Sequence, residues 1–402
     1  MNAPPLPPVT AAGAAPEAAG RKVVALRFTA SGSEYFRIWS VNALLILVTL
    51  GLYLPFAKAR RLRYFHANTL VDGDALAFHG DPWKMFRGFL VMLLLFGAYA
   101  GASYVSEPVA LGAFAIASLA WPALWRSSLM FRMANTSWRG LRFAFEGSTG
   151  GAYRAQALLF LPAFVGLLGT ALAASGTAPG GDAPAARASA MVATAGGVAF
   201  VVAIFAVPLG LAWVKRYQHG GLRYAGEAAR LTSSTAAFYG LGLKLLLAGL
   251  GVLVGLVVLA YVGWFVGKVA GVNGRQAGAF ALLGGLWAFF TYLAAFALLS
   301  AWAAAWLQNL VWNGTESQAV RFESSVRPDA LAWLSVRNLA LVVLTLGLYR
   351  PFAVVRVMRM RLEAVSVSLP VDAQAWAASA SPRPGSARGE MAGDFFGIDV
   401  GL

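Results

Sequence analysis

The sequence predicts an all-α polytopic membrane protein. It reads as three transmembrane helical hairpins flanked by two repeated helix-break-helix elements, with short β-strands in the basic cytoplasmic connections. Three observations predict this. Apolar residues make up 59% of 402 residues and charged residues only 12%, against about 25% charged in a soluble domain. The apolar residues fall into runs long enough to cross a hydrocarbon core. The 32 Lys and Arg, against 17 Asp and Glu, collect at the ends of those runs, as the positive-inside rule requires.

Eight apolar segments lie near residues 38–57, 88–105, 108–131, 156–175, 190–214, 245–267, 277–307 and 331–353, and none contains Asp or Glu. Short links at Ser106–Pro108, Ser175–Ser189 and Lys268–Gln276 pair six of them into hairpins, and the longer connections carry the arginines.

The first and last segments are copies. Thr49–Ala57 matches Thr345–Ala353, and the register extends to Asn42/Asn338, Leu45/Leu341, Arg60/Arg356 and Arg63/Arg359. If both copies enter and leave on one face, all of the 32 Lys and Arg except Arg187, Lys268 and Arg275 lie on that face. Two re-entrant elements around six spans satisfy the charge rule, and eight full crossings are the alternative. Gly51 and Gly347 relax the backbone, and Pro55 and Pro351 each remove a donor. Freed carbonyls inside a membrane need partners. Asn42 and Asn338, with Tyr53 and Tyr349, are therefore the candidate structural or pathway-lining residues.

A second repeat lies in the basic connections. Ala67-Asn68-Thr69 with Phe78, Gly80, Phe86 and Arg87 recurs in the same spacing as Ala134-Asn135-Thr136 with Phe145, Gly147, Tyr153 and Arg154, and looser echoes sit at Arg27-Phe28, Arg223-Tyr224 and Arg321-Phe322. Alternation at Ala75–His79 and Leu141–Phe145 suits strands. Residues 1–22 and 373–402 read as disordered tails around a membrane domain at 23–372, with an apolar island at Phe395-Phe396.

With no cysteine, disulfides, thiolate metal sites and Cys nucleophiles are excluded. His66 and His79 read as hydrogen-bonded or solvated side chains, and no metal or cofactor is expected. Arg60, Arg61, Arg63, Arg139, Arg142, Arg356 and Arg359 are candidate contacts for anionic lipid headgroups or an anion; nucleic acid is not expected. Most tryptophans, Trp39, Trp83 and Trp125 among them, suit an interfacial belt. Gly97/Gly101 and Gly251/Gly255 have the spacing of close helix contacts.

Gly32–Trp39, Asn42, Thr49–Ala57, Arg60–Phe65, Asn68-Thr69, Asp72-Gly73, Phe78–Pro82 and Arg139–Gly147 form an ordered series. It resembles the YjgN-like family of bacterial inner-membrane proteins across roughly 24–372. Arg350 departs from the repeat, which has Leu54 in its first copy. The resemblance implies an integral, multi-pass inner-membrane address, and it brings no reaction and no catalytic residues. No Walker loop, His-Glu-x-x-His or Ser/His/Asp grouping is present, so an enzyme is not expected. The absence of acids from the spans argues against a proton-coupled pump. A channel or facilitator for a small solute is the expectation, and a scaffold or regulator of a partner protein is the alternative, with both termini cytoplasmic.

Overall fold

The computed structural model describes residues 20–158, 160, 183–269 and 274–379. Pairs of helices rise from a circuit of short strands. The chain runs through β1 (Arg21–Ala25) and β2 (Arg27–Phe28), along α1 (Gly32–Val48), and back along α2 (Leu54–Ala67) to β3 (Thr69–Val71). The order repeats in β4 (Asp74–Phe78), α3 (Pro82–Val105), α4 (Glu107–Ala134) and β5 (Thr136–Trp138). Next come β6 (Leu141–Arg142), β7 (Ala144–Phe145), helical residues 149–158 (α5), α6 (Ala183–Gly220) and β8 (Leu222–Tyr224). The fourth unit is β9 (Glu227–Ala228), β10 (Arg230–Leu231), α7 (Thr235–Val269), α8 (Gly274–Asn313) and β11 (Thr315–Glu316). The fifth is β12 (Arg321–Ser324), α9 (Pro328–Leu344), α10 (Arg350–Glu363) and β13 (Val365–Pro370), followed by α11 (Ala373–Ser379).

The strand before each helical pair bonds antiparallel to the strand after it. The partners nearest the helices are Phe28↔Thr69, Phe78↔Thr136, Phe145↔Leu222, Leu231↔Thr315 and Ser324↔Val365. Each pair of helices therefore leaves the strand layer and returns to it at one place. Strands of neighbouring units also pair, and β1 against β13 joins the two ends of the chain. The three sheets meet where single strands pass from one to the next at Leu26, Phe143 and Ala229, each of which still donates a backbone bond. Two-residue turns at Asp72-Gly73, Arg139-Gly140 and Ala225-Gly226 have φ near 50° and then 78–86°, the mirror-image turn whose twist matches paired strands.

Inside the circuit, Trp138, Val367 and Leu369 are buried against Leu26, Val71, Leu76, Phe143, Tyr224 and Phe322. α11 covers them with Ala373 and Trp376. The tail expected from residue 373 thus begins as a docked helix, because the inward faces of the strands need an apolar lid. The Phe395-Phe396 island lies outside the described residues.

One hydrogen bond recurs around the circuit. A side chain on the second helix of each pair donates to the carbonyl just before the N-cap position of the next pair. The bonds are Arg63 to Gly80 (2.8 Å), Arg126 to Gly147 (2.6 Å), Arg216 to Ser233 (3.1 Å), Asn309 to Val326 (2.9 Å) and Arg359 to Ala30 (2.7 Å). The last bond runs from the fifth unit back to the first. Ser31 and Asp81 cap the helices they precede, accepting from Glu34 (3.1 Å) and Trp83 (2.9 Å), which satisfies orphan donors at the first turn. The Phe-x-Gly spacing has a packing cause. The Phe78 ring lies where a Cβ on Gly80 would stand, and Phe145 does the same at Gly147.

The first and last apolar segments are broken as the sequence predicts. α1 and α2 have 17 and 14 residues, as do α9 and α10. Leu50 and Gly51 have φ of 51° and 93°, and Leu346 and Gly347 have 50° and 93°. The expected role of the asparagines differs. Thr49 Oγ1 donates to Leu45 O (2.7 Å) and accepts from Tyr53 N (3.0 Å), and Thr345 does the same with Leu341 and Tyr349 at 2.7 and 3.0 Å. Gly51 and Gly347 N–H reach back to Ile46 and Val342 at 2.8 and 2.7 Å. Asn42 and Asn338 lie about two turns down their helices, too far to serve these groups. Leu50 and Leu346 are 93% and 95% exposed at the tips, so the breaks present leucine outward and are not enclosed by protein.

Among the described residues, five helices are long and apolar enough to cross a membrane: Pro82–Val105, Pro108–Ala134, Gly196–Gly220, Thr235–Val269 and Gly278–Asn313. The segment expected at 156–175 lies almost wholly outside the described residues. The apolar windows of α7 and α8 bury 0% within the chain, the state of helices whose solvent is lipid. An added Cβ at Gly97, Gly101, Gly251 or Gly255 would meet nothing within 4 Å. The close contacts expected there are absent, because those faces point away from the neighbouring helices. Close approach occurs at Gly267, against Phe280 of α8.

Candidate functional site

A cavity of about 820 Å³ opens between α1, α2, α3 and α10, with Trp121 of α4 at its edge. Three helices each give it one stripe. α1 supplies Tyr35, Trp39, Asn42 and Ile46; α2 supplies Leu54, Lys58 and Arg61; α3 supplies Met85, Phe89 and Met92. These spacings of three and four residues put each set on a single helical face. Arg350, Pro351 and Val354 of α10 complete the lining.

Among the described residues, three cations line the cavity and no Asp or Glu does. The guanidinium groups of Arg61 and Arg350 both act on the Tyr35 ring hydroxyl. α2 and α10 begin at the wall with proline in the first turn and no side-chain cap. Their first turns are largely paired, since Leu54 and Ala57 donate to Gly51 and Tyr53 and Arg350 and Ala353 donate to Gly347 and Tyr349, so the positive charge at the wall comes from the side chains. At the other end, Ile46, Leu47 and Leu54 are apolar. The site is thus cationic at one end and oily at the other.

The cavity brings together Asn42, Pro55, Pro351 and Arg61 from the sequence-predicted set, and leaves Gly51, Tyr53, Asn338, Gly347 and Tyr349 outside. Asn42 is 7% exposed and accepts from Arg60 at 3.3 Å. Asn338 is 4% exposed, and neither side-chain polar atom has a partner. Its equivalent arginine, Arg356, lies over the Tyr349 ring at 5.4 Å instead. Tyr53 and Tyr349 stack on Phe56 and Phe352.

Other arginines have intramolecular work. Arg63 and Arg359 make the inter-unit bonds described above. Arg139 pairs with Asp72 (2.9 Å) and Asp74 (2.6 Å) at the strand turns. Arg142 is exposed on β6. The Lys22 ammonium, 2.6 Å from Asp72, together with Arg139 holds the Asp72 carboxyl below the usual aspartate value. Burial opposes ionisation of Glu316, but hydrogen bonds from Arg230 and Arg321 outweigh it and lower its pKa. His66 Nδ1 and His79 Nε2 lie 2.8 Å from Leu62 O and Ser137 Oγ. Among the described residues, no group of three His, Cys, Asp or Glu could hold a metal ion.

Sequence reading did not assemble Tyr35, Trp39, Lys58, Phe89 and Arg350 into one place. The available signal was the three- and four-residue spacing shared by α1, α2 and α3, together with the departure of Arg350 from its repeat.

A family model described as "Bacterial protein of unknown function (DUF898)" matches residues 23–395. The chain is 31% identical over 137 residues to "Inner membrane protein YjgN" of Escherichia coli O157:H7, covering 34% of each chain. It is 27% identical over 124 residues to the protein of that name from Salmonella typhimurium (strain LT2), covering 31% of each. The matched stretch therefore spans about a third of the length of these curated relatives. No solved structure matches. With a family model matched across residues 23–395 of 402, the chain belongs to the DUF898 family and is a bacterial multi-pass inner-membrane protein.

Proposed function

We propose that the chain is a facilitator-type transporter of a small solute, not an enzyme. Two spanning hairpins (α3/α4, α7/α8) and the spanning helix α6 stand beside two re-entrant pairs (α1/α2, α9/α10), and the strand circuit and both termini face the cytoplasm against anionic headgroups. The cavity carries this reading. It is acid-free and bordered by two interrupted helical pairs, the kind of element from which carriers build solute sites. The five candidate spans contain no Asp or Glu, which favours facilitated flux over proton coupling. The test is solute flux into liposomes carrying purified protein, across a panel of ions and small metabolites, with Arg61→Gln as comparison. Flux above protein-free liposomes that falls in the variant is expected; no flux for any solute would defeat the reading.

A further inference from the structure

We infer that the cavity binds an amphiphile with an anionic oxyacid head and one alkyl chain. The inference rests on reading the cavity as the solute site, and it names the ligand class.

The head end comes from the two guanidinium groups in the lining. Among the described residues, the Arg61 and Arg350 guanidinium groups have no hydrogen-bonded or ionic partner in the chain, yet both act on Tyr35. Arginine forks match oxyacid geometry. Arg350 is also where the two broken elements part company, since the first carries Leu54 there. The repeat alone asks for leucine at this position; the cavity holds a charge instead.

The chain end comes from length and lining. From Tyr35 to Leu47, α1 advances about 18 Å at 1.5 Å per residue, and both residues line the cavity. Ile46, Leu47, Leu54 and Met92 form the far wall. That run suits an aliphatic chain. A compact inorganic anion would leave the apolar half unused. A volume of about 820 Å³ lies within the range of small-molecule pockets.

The test measures binding without flux. Full-length protein in a nonionic, lipid-free detergent is titrated by native mass spectrometry with a palmitoyl lysophosphatidylglycerol. Lysophosphatidylcholine of the same chain length and chain-free glycerol phosphate serve as the other probes. The lysophosphatidylglycerol is expected to bind about tenfold or more tightly than either, because glycerol phosphate lacks the chain and the ammonium of lysophosphatidylcholine offsets its head charge. Arg350→Leu, which restores the residue of the first repeat, and Arg61→Gln should each weaken it by about tenfold, while Arg350→Lys keeps part of the affinity. Circular dichroism melts confirm that the variants fold. Equal binding of the zwitterionic lipid, equal binding of glycerol phosphate, or folded variants with unchanged affinity would each overturn the inference. Flux without amphiphile binding would overturn it while leaving the facilitator reading intact. Binding without flux would support it and sink the facilitator.

Discussion

Replacing Gly51 with alanine tests the broken hairpins through backbone conformation alone. At φ 93° an L-residue is strained, and the only atom within 4 Å of an added Cβ is Leu54 Cδ1 at 3.8 Å. Packing therefore contributes little, and the cost is that of a left-handed residue, about 1–2 kcal/mol. Gly347 has the same φ and open space around it, so Gly347→Ala should cost the same. The two lie on separate helical pairs, and the double variant should lose roughly 2–4 kcal/mol by additivity. Gly251 is the control. It lies inside α7 with nothing within 4 Å, and alanine there should gain about 0.5–1 kcal/mol. Equilibrium unfolding in mixed micelles, followed by far-UV circular dichroism, reads all four proteins. If Gly51→Ala and Gly347→Ala are as stable as Gly251→Ala, the segments are continuous helices and the topology returns to eight crossings.

Arg359→Met should lose roughly 1.5–3 kcal/mol, the net worth of a hydrogen bond to a charged group. The Ala30 carbonyl it serves belongs to a residue 0% exposed, whereas Arg356→Met should change unfolding by no more than about 1 kcal/mol; equal effects in a melt would refute the inter-unit role. Asp72 has a folded pKa below its unfolded value of about 3.9, chiefly through Lys22. Its stabilisation is full above the unfolded pKa and is lost as pH falls through the folded value, so Asp72→Asn should flatten acid melts below about pH 4; parallel acid profiles would count against it. Cytoplasm-active reporters fused after Leu402 should work while periplasm-dependent ones stay silent, and Ala183→Cys should react with impermeant thiol reagents in intact spheroplasts. The reverse pattern would invert the orientation.

The parts read well from sequence are those with local causes. Thr49–Ala57 and Thr345–Ala353 carry their break in Thr, Gly and Pro, so two copies of one sequence give the same dihedrals. Alternating residues gave β4, β6 and β7. That short strands occupy the connections was legible, but which of them pair was hidden because the pairings are non-local: β1 meets β13, and β7 meets β8 although α5 and α6 lie between them. Asp72-Gly73 was a hairpin signal, and Arg139-Gly140 and Ala225-Gly226 make the same turn without its usual first residue; all three mark where one unit hands over to the next. Asn42 and Asn338 do not reach the breaks because they lie about two turns away, and it is the nearer Thr49 and Thr345 that take the Tyr53 and Tyr349 N–H groups. The same repeat concealed a difference: Asn42 has Arg60, while Asn338 has no partner.

The circuit also explains why helix parity could not settle the topology. Counting crossings along a chain assumes that each apolar segment changes side. Here each helical pair starts and ends on paired strands, so the side of every base is fixed by hydrogen bonds and not by segment number. Short and long pairs can then stand side by side on one layer. α1 and α2 rise about 25 and 21 Å at 1.5 Å per residue, short of a hydrocarbon core of about 30 Å. α3, with 24 residues, rises about 36 Å beside them. In the proposed orientation the exposed leucine tips end inside the bilayer, with N–H donors of the turn bonded to Thr49, Thr345, Ile46 and Val342, a pairing that a membrane interior favours. In that orientation a hairpin that stops short next to one that crosses leaves space along the taller helix. The cavity lies there, against Met85, Phe89 and Met92 of α3, and its cations come from the short pairs whose broken helices begin at its wall.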